Sequence, residues 1–493
     1  MSNKIKLSLK DHSMVYVDAE RGTMRDIHEH FSFLVPGYKF MPAYKNKMWD
    51  GKIRLLNLIN GEITAGLFQQ IQKYAVDNGY EVEVVESNYG FPGAENVVDQ
   101  KQLYSWILTL GLPFSLHPYQ FEAIVEAIQS KRILLISPTG SGKSLIIYVL
   151  IRWYLENESD KKFLLVVPTT SLVEQMYSDF NDYGFDSENQ VHRVYSGKDK
   201  NTEKQIIIST WQSIYKMPPV WFGQFGAIIG DEVHGFKAKS LNSIMNKMLD
   251  TDYRIGTTGT LDGTLTNRMV LEGLFGPVYN VTTTKSLQDK GILSKIKIMM
   301  LVLRYSDSER EAMHKATYPK EIDFIVSHPI RNKYVTNLAV MQRGNTLVLF
   351  DLVDKHGKVL RDMIQTKVEE GRRVYYVSGE VDTSEREAIR RLVETQTNCI
   401  IVASAKTFST GINIRNLHNV IFASPSKSVI KVLQSIGRGL RKSDDGSEMK
   451  LYDIIDYIQW DGYENHTLRH SKERTKIYET EQFPYKLIKV DVL

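Results

Sequence analysis

Lys143 and Ser144 close a glycine-rich turn, SPTGSGKS (137–144), and are the residue types that hold phosphates and a divalent cation. Asp231 and Glu232 close a second apolar run, AIIGDEVH (227–234). There one carboxylate can hold magnesium while the other polarises an attacking water. The turn follows ILLI (133–136) and precedes SLIIYVL, so strand, turn and helix would aim backbone N–H groups and a helix N-terminus at an anion. Thr139, Gly140, Ser141 and Gly142 make that cradle, Lys143 reaches the β/γ-phosphates, and Ser144 with Asp231 holds Mg2+. Ser137 stands where the GxxxxGK[ST] pattern has its first glycine. Together the two motifs point to ATP hydrolysis with Mg2+, a reaction that needs positioned positive charge more than covalent chemistry.

Such residues must sit at the ends of parallel strands, and the chain supplies the strands. RILLIS (132–137), FLLVVP (163–168), QIIIST (205–210), AIIGDE (227–232) and YRIGTT (253–258) are buried-type runs separated by helical patterns. A second series follows: NTLVLF (345–350), RRVYYVSG (372–379), NCIIVASA (398–405), NVIFAS (419–424) and KLYDIIDYI (450–458). The fold class is therefore α/β, with two tandem parallel-sheet domains at residues 96–283 and 284–447. Residues 1–95 alternate short strand patterns with Gly and Asn turns and read as a small α+β module, with linker-like SNYGFPGAEN at 87–96. Residues 448–493 form a C-terminal extension with a charged, helix-like stretch, expected to pack on the second domain.

The 493 residues suffice for about three domains, and 42% hydrophobic with 24% charged residues is ordinary for a globular protein. Apolar stretches such as IMMLVL (298–303) are far short of the ~20 residues that span a bilayer. The start, MSNKIKLSLKDHS, lacks the apolar core of a secretion signal. Cys399 is the sole cysteine, which excludes an intramolecular disulfide and a cysteine-based zinc cluster and fits a reducing cytoplasm. A net charge of +4 means that any nucleic-acid surface must be local. Residues 37–54 and 425–442 are the two basic candidates. In the first, Tyr44, Lys45, Lys47, Trp49, Lys52 and Arg54 interleave rings with cations, which suits backbone neutralisation and stacking. The other reading makes Trp49 a hairpin core residue and the lysines a solvated face.

Further signals lie at the expected strand ends in chain order: LHPYQ (116–120), VPTTSLVEQ (167–175), STWQS (209–213), GTTGT (256–260), ASAKTFSTGINI (403–414) and QSIGRGLR (434–441). With SPTGSGKS and DEVH, this series resembles the superfamily 2 DExH helicases over roughly residues 112–460. The resemblance implies two RecA-like domains with ATP held between them, Gln120 reading the adenine edge, and His234, Thr258 and Thr260 coupling nucleotide to track. It also implies Pro168, Thr169, Thr210 and Gln212 on the nucleic-acid backbone, and Gly411 and Asn413 serving both ligands. Gln434, Arg438 and Arg441 would line the ATP cleft. His117 and Asn413 depart from the usual arginine and aspartate. A cation arriving across a cleft can add ~10³–10⁵ in rate, so hydrolysis would require closure.

MWDGKIRLL (48–56) and NHTLRHSKER near the end extend the likeness to the branched-DNA helicases of T4-type bacteriophages. That implies Holliday-junction branch migration, fork regression and R-loop removal by a monomer in the cytoplasm of an infected bacterium. Branched DNA and RNA–DNA hybrids would be its partners, with single-strand-binding and recombination proteins as further ones and no membrane. Motor motifs grip phosphates without choosing DNA over RNA, so an RNA-directed helicase stays open, as does the motor subunit of a restriction system.

Overall fold

Alternation in KIKLSL puts Ile5 and Leu7 on one face of a strand, and MVYVD does the same with Val15 and Val17. The computed structural model describes the chain apart from residues 1–3, 86–96, 158–160, 196, 237, 260, 262–264, 381–387, 390, 394, 410–415, 426–447 and 493. These two strands, β1 (Lys4–Leu9) and β2 (Met14–Asp18), pair antiparallel. A small separate ribbon is formed by β3 (Ser32–Leu34) and β4 (Lys52–Arg54). With β5 (Glu62–Thr64) and β6 (Glu81–Val85) the first pair completes a sheet in the order β5-β2-β1-β6. Ile27 and Phe31 at one end of the helix Arg21–His30, and Ile71 from Phe68–Asp77, close its core.

The module is fastened to the sheet domain that follows. Arg254 is fully buried and donates to the carbonyls of Thr251, Met245 and Met248 and to the Ser13 hydroxyl. Ser13 Oγ in turn donates to Met245 O at 2.9 Å, and His12 N to Leu249 O at 3.1 Å. On the far side of the joint, a Cβ added at Gly66 would overlap the carbonyl oxygens of Glu272 and Gly273. Gly66→Ala is therefore expected to cost roughly 1–3 kcal/mol by overpacking backbone on backbone. Urea titration monitored alongside limited proteolysis checks this; an unchanged midpoint and unchanged resistance of residues 4–85 would contradict it.

The first large sheet consists of β7 (Arg132–Ile136), β8 (Lys162–Val167), β9 (Val191–Val194), β10 (Ile206–Thr210), β11 (Phe225–Gly230), β12 (Tyr253–Thr258) and β13 (Val278–Asn280). Its order is β13-β7-β12-β11-β8-β10-β9, and every pairing is parallel. Unbroken burial along β10, β11 and β12 follows from helices on both faces.

The second sheet, again parallel throughout, runs β16-β17-β15-β18-β19-β14-β20. Its strands are β14 (Ile296–Arg304), β15 (Thr346–Phe350), β16 (Val374–Val377), β17 (Ile400–Ser404), β18 (Asn419–Phe422), β19 (Met449–Tyr457) and β20 (Tyr485–Asp491). The C-terminal residues thus contribute β19 and β20 to the sheet as well as the helix His466–Thr480. Within KLYDIIDYI, two acids three positions apart point to opposite faces of β19. On one face Asp453 receives Arg474 at 2.7 and 2.9 Å and Tyr478 at 2.9 Å, fixing the C-terminal helix. On the other, Asp456 receives Arg331 at 2.7 and 3.0 Å and Tyr305 at 2.7 Å, fixing the helix Pro329–Met341.

The chain forms two compact units, residues 1–137 with 142–282 and residues 138–141 with 283–493. Each contains one RecA-like parallel sheet. Among the described residues no helix is long and apolar enough to cross a membrane.

Candidate functional site

β7 ends at the glycine-rich loop, where Gly140 and Gly142 take φ values of 83° and 77°, a left-handed backbone that only glycine adopts cheaply. A Cβ at Gly142 would also overlap the side-chain amide of Gln120. Gln120 is itself buried, and its Oε1 accepts from His117 N at 2.8 Å. The sequence motif LHPYQ and the loop therefore meet, and the His117 ring stacks on Tyr119 with centroids 5.4 Å apart.

The helix Lys143–Asn157 starts at the loop. Lys143 Nζ lies 2.6 Å from Glu232 Oε1 and 3.5 Å from Asp231 Oδ1. Glu232 has φ 49° and ψ 46°, a costly conformation for a residue with a side chain and a kind of strain found at functional sites. Burial alone would raise the Glu232 carboxyl, but the charges of Lys143 and His234 and the lysine hydrogen bond outweigh it and hold it at about 2. Asp231, 2% exposed and farther from the lysine, is pushed up by burial, which Lys143 only partly offsets. Burial would lower Lys143, yet the two carboxylates raise it, so it stays an ammonium.

Thr258 and its neighbour Thr257 alternate on β12 and split two tasks. The Thr257 hydroxyl donates to Asp231 Oδ1 at 2.6 Å, while Thr258 Oγ1 lies 2.6 Å from His234 Nδ1. His234 Nδ1 is also 3.4 Å from Glu232 Oε2. GTTGT contains Thr257 but gives it no separate role. Tyr183 adds a contact that no local pattern announces, its hydroxyl lying 2.9 Å from Ser144 Oγ.

Two strands away on the same sheet, Val167 of β8 is in register with Thr210 of β10. That brings Pro168, Thr169, Thr210 and Gln212 into one cluster. Gln212 Nε2 donates to Pro168 O at 3.1 Å, and Thr169 Oγ1 caps the helix Thr170–Asp182 by accepting from Leu172 N at 3.3 Å. Thr210 Oγ1 is 2.9 Å from Ser213 Oγ.

In the N-terminal module, Tyr44, Lys45, Lys47 and Trp49 line one open cleft of about 630 Å3. Trp49 is partly buried and its Nε1 donates to Lys52 O at 2.8 Å, so the ring is both hairpin support and cleft wall. Lys52 is diverted, with its Nζ 2.6 Å from Glu29. Arg54 pairs with Asp50 and holds that carboxyl well below its usual range. Thr260, Gly411, Asn413, Gln434, Arg438 and Arg441 lie outside the described residues, as does almost all of the basic stretch 425–442.

Comparison with known proteins agrees with this layout. Residues 113–263 match the family described as type III restriction enzyme, res subunit; residues 4–85 match DNA helicase UvsW, N-terminal; and residues 330–443 match the helicase conserved C-terminal domain. The ATP-dependent DNA helicase uvsW of Enterobacteria phage T4 is 34% identical over 98% of both chains. A DNA 3'-5' translocase, XPB2 of Sulfurisphaera tokodaii, is 23% identical over 86% of this chain and 95% of its own. The crystal structure of T4 UvsW superposes with a TM-score of 0.52 at 34% identity, covering 99% of this chain and 100% of that one. An ATP-binding, nucleic-acid-binding enzyme with two RecA-like sheets and this degree of full-length identity belongs to the UvsW family of superfamily 2 ATP-dependent DNA helicases.

Proposed function

We propose that this helicase remodels branched DNA, migrating Holliday junctions, regressing forks and unwinding R-loops, inside the cytoplasm of an infected bacterium. The observation that carries the reading is the cleft with Lys45, Lys47 and Trp49 on a module fastened directly to the first sheet domain, because motor contacts to phosphates carry no branch information of their own. Residues 1–95 serve as the branch-sensing module, 96–283 and 284–447 as the two motor domains, and 448–493 as the extension that completes the second.

In the ATP site, Lys143 exchanges its carboxylate partners for the β/γ-phosphates. Withdrawal of the lysine would remove the strongest influence that depresses Glu232 and free its carboxylate to face the attacking water. The oxygen donors Ser144 and Asp231 suit Mg2+, which takes few protein ligands and keeps water and phosphate for the rest. Bound there, Mg2+ would neutralise charge on the transferred phosphoryl group. His234 and Thr258 report the state of Glu232 to β12, and Pro168, Thr169, Thr210 and Gln212 hold the nucleic-acid backbone. Thr260, Gly411, Asn413, Gln434, Arg438 and Arg441 are assigned coupling and ATP roles on sequence grounds alone.

The purified protein with ATP and a panel of Holliday junctions, forks, R-loops, blunt duplex and RNA tests the reading. ATPase stimulation and strand exchange should be greatest on branched substrates; equal responses to blunt duplex and RNA would overturn it. A Lys45→Ala/Lys47→Ala protein should bind junctions more weakly, with a log–log salt slope lower by up to about 0.9 per lost phosphate contact. An unchanged slope would return these lysines to a solvated face.

A further inference from the structure

The cleft in the N-terminal module has a chemistry that phosphate binding does not require. Tyr44 and Trp49 supply aromatic walls and Met48 a thioether, and Met48 is 81% exposed. Phe40, on the same excursion between β3 and β4, is 80% exposed. Large apolar side chains this open, clustered on one projecting segment, mark a surface that meets a partner. Tyr44 is braced edge-on by Tyr38, with ring centroids 4.7 Å apart, and Trp49 by its bond to Lys52 O, so both walls are held in place before any ligand arrives. Lys39, Lys45 and Lys47 also line the cleft, and none of them forms an ion pair with a described residue. Asp50, the acid in the lining, is neutralised by Arg54.

An aromatic and thioether lining interspersed with lysines fits a flat apolar group that carries phosphates at its edge. A volume of about 630 Å3 falls within the ~300–1,000 Å3 of small-ligand pockets. We propose that this cleft captures one unstacked nucleotide of the DNA, its base against Tyr44, Met48 and Trp49 and its flanking phosphates on Lys45 and Lys47. In continuous duplex every base is already stacked and paired, and extracting one is costly; a base left unpaired at a bulge, a fork or the edge of an R-loop is available at little cost. The cleft therefore reads a branch as the availability of a free base. This deepens the branched-DNA reading and rests on it.

The test uses the full-length protein and three duplexes of equal length: continuous, with a single unpaired 2-aminopurine, and with a single unpaired abasic residue. Base–aromatic stacking is expected to favour the base-bearing bulge over the abasic one by about five- to a hundredfold in affinity. The 2-aminopurine fluorescence should change on binding. Tyr44→Ala and Met48→Ala should each bring that ratio toward one; Met48, being exposed, keeps the test decisive if Tyr44→Ala disturbs the ribbon. Equal affinity for the two bulges, or a ratio untouched by Met48→Ala and Tyr44→Ala, would overturn the proposal. A four-way junction run in parallel separates the two readings. Junction preference with no base dependence defeats only the nucleotide cleft, whereas loss of junction preference in the parent protein defeats the branched-DNA function.

Discussion

A Glu232→Gln protein is expected to bind ATP at least as tightly as its parent and to hydrolyse it ~10²–10⁴-fold more slowly. Lys143 sits 2.6 Å from Glu232 and 3.5 Å from Asp231. Phosphates held by Lys143 would draw it away from its nearer partner. A glutamine in that place competes less for the ammonium, so affinity is kept or improved, while a neutral amide cannot take a proton from water. Lys143→Ala should have the opposite signature, losing affinity because the cation itself is gone. Equilibrium titration with a fluorescent ATP analogue and single-turnover hydrolysis separate the two variants. Turnover near the parental rate in Glu232→Gln would show that another group polarises the water.

The second large effect is on stability. Arg331 and Asp456 are both fully buried and joined by two hydrogen bonds, with Tyr305 adding a third to the same carboxylate. Burial and the neighbouring carboxylate push the Tyr305 hydroxyl well above its ordinary range, so it remains a donor. Arg331→Met removes the cation and leaves a charge in the core, which costs about 3–5 kcal/mol. For a unit of this size that corresponds to a fall of roughly 6–20 °C in Tm. Replacing both partners, Arg331→Met with Asp456→Leu, should recover most of the loss because no uncompensated charge remains. Calorimetry of the two proteins decides the matter; a double variant as unstable as the single one would mean that the pair is needed for packing geometry rather than charge balance.

These two sites differ in how far the sequence foretold them. Lys143, Asp231 and Glu232 belong to runs whose composition dictates strand, turn and helix, so their meeting follows once the strands lie parallel. Thr257 and Thr258 could not be assigned separate partners from GTTGT, because only the pairing of β12 with β11 decides which hydroxyl faces Asp231. Tyr183 reaches Ser144 through tertiary packing across 39 positions, a distance at which periodicity carries no information. KLYDIIDYI was legible as a strand, but its two acids are clamps only because Arg474 and Arg331 arrive from helices remote in sequence. Lys52 is the reverse case: basic composition placed it with Lys45 and Lys47, and Glu29 takes it out of that group.

The joint at Ser13, Gly66, Arg254 and Glu272 makes the N-terminal module and the first sheet domain a single handle. DNA held as proposed at both the Tyr44 cleft and the cluster at Pro168 and Gln212 would meet two grips whose separation is set in advance. The second contact is then made at a high effective concentration and without the entropy of ordering a tether, so modest affinities multiply rather than add. Avidity of this kind discriminates by geometry, since a DNA shape that cannot reach both grips at their fixed spacing gains nothing from either.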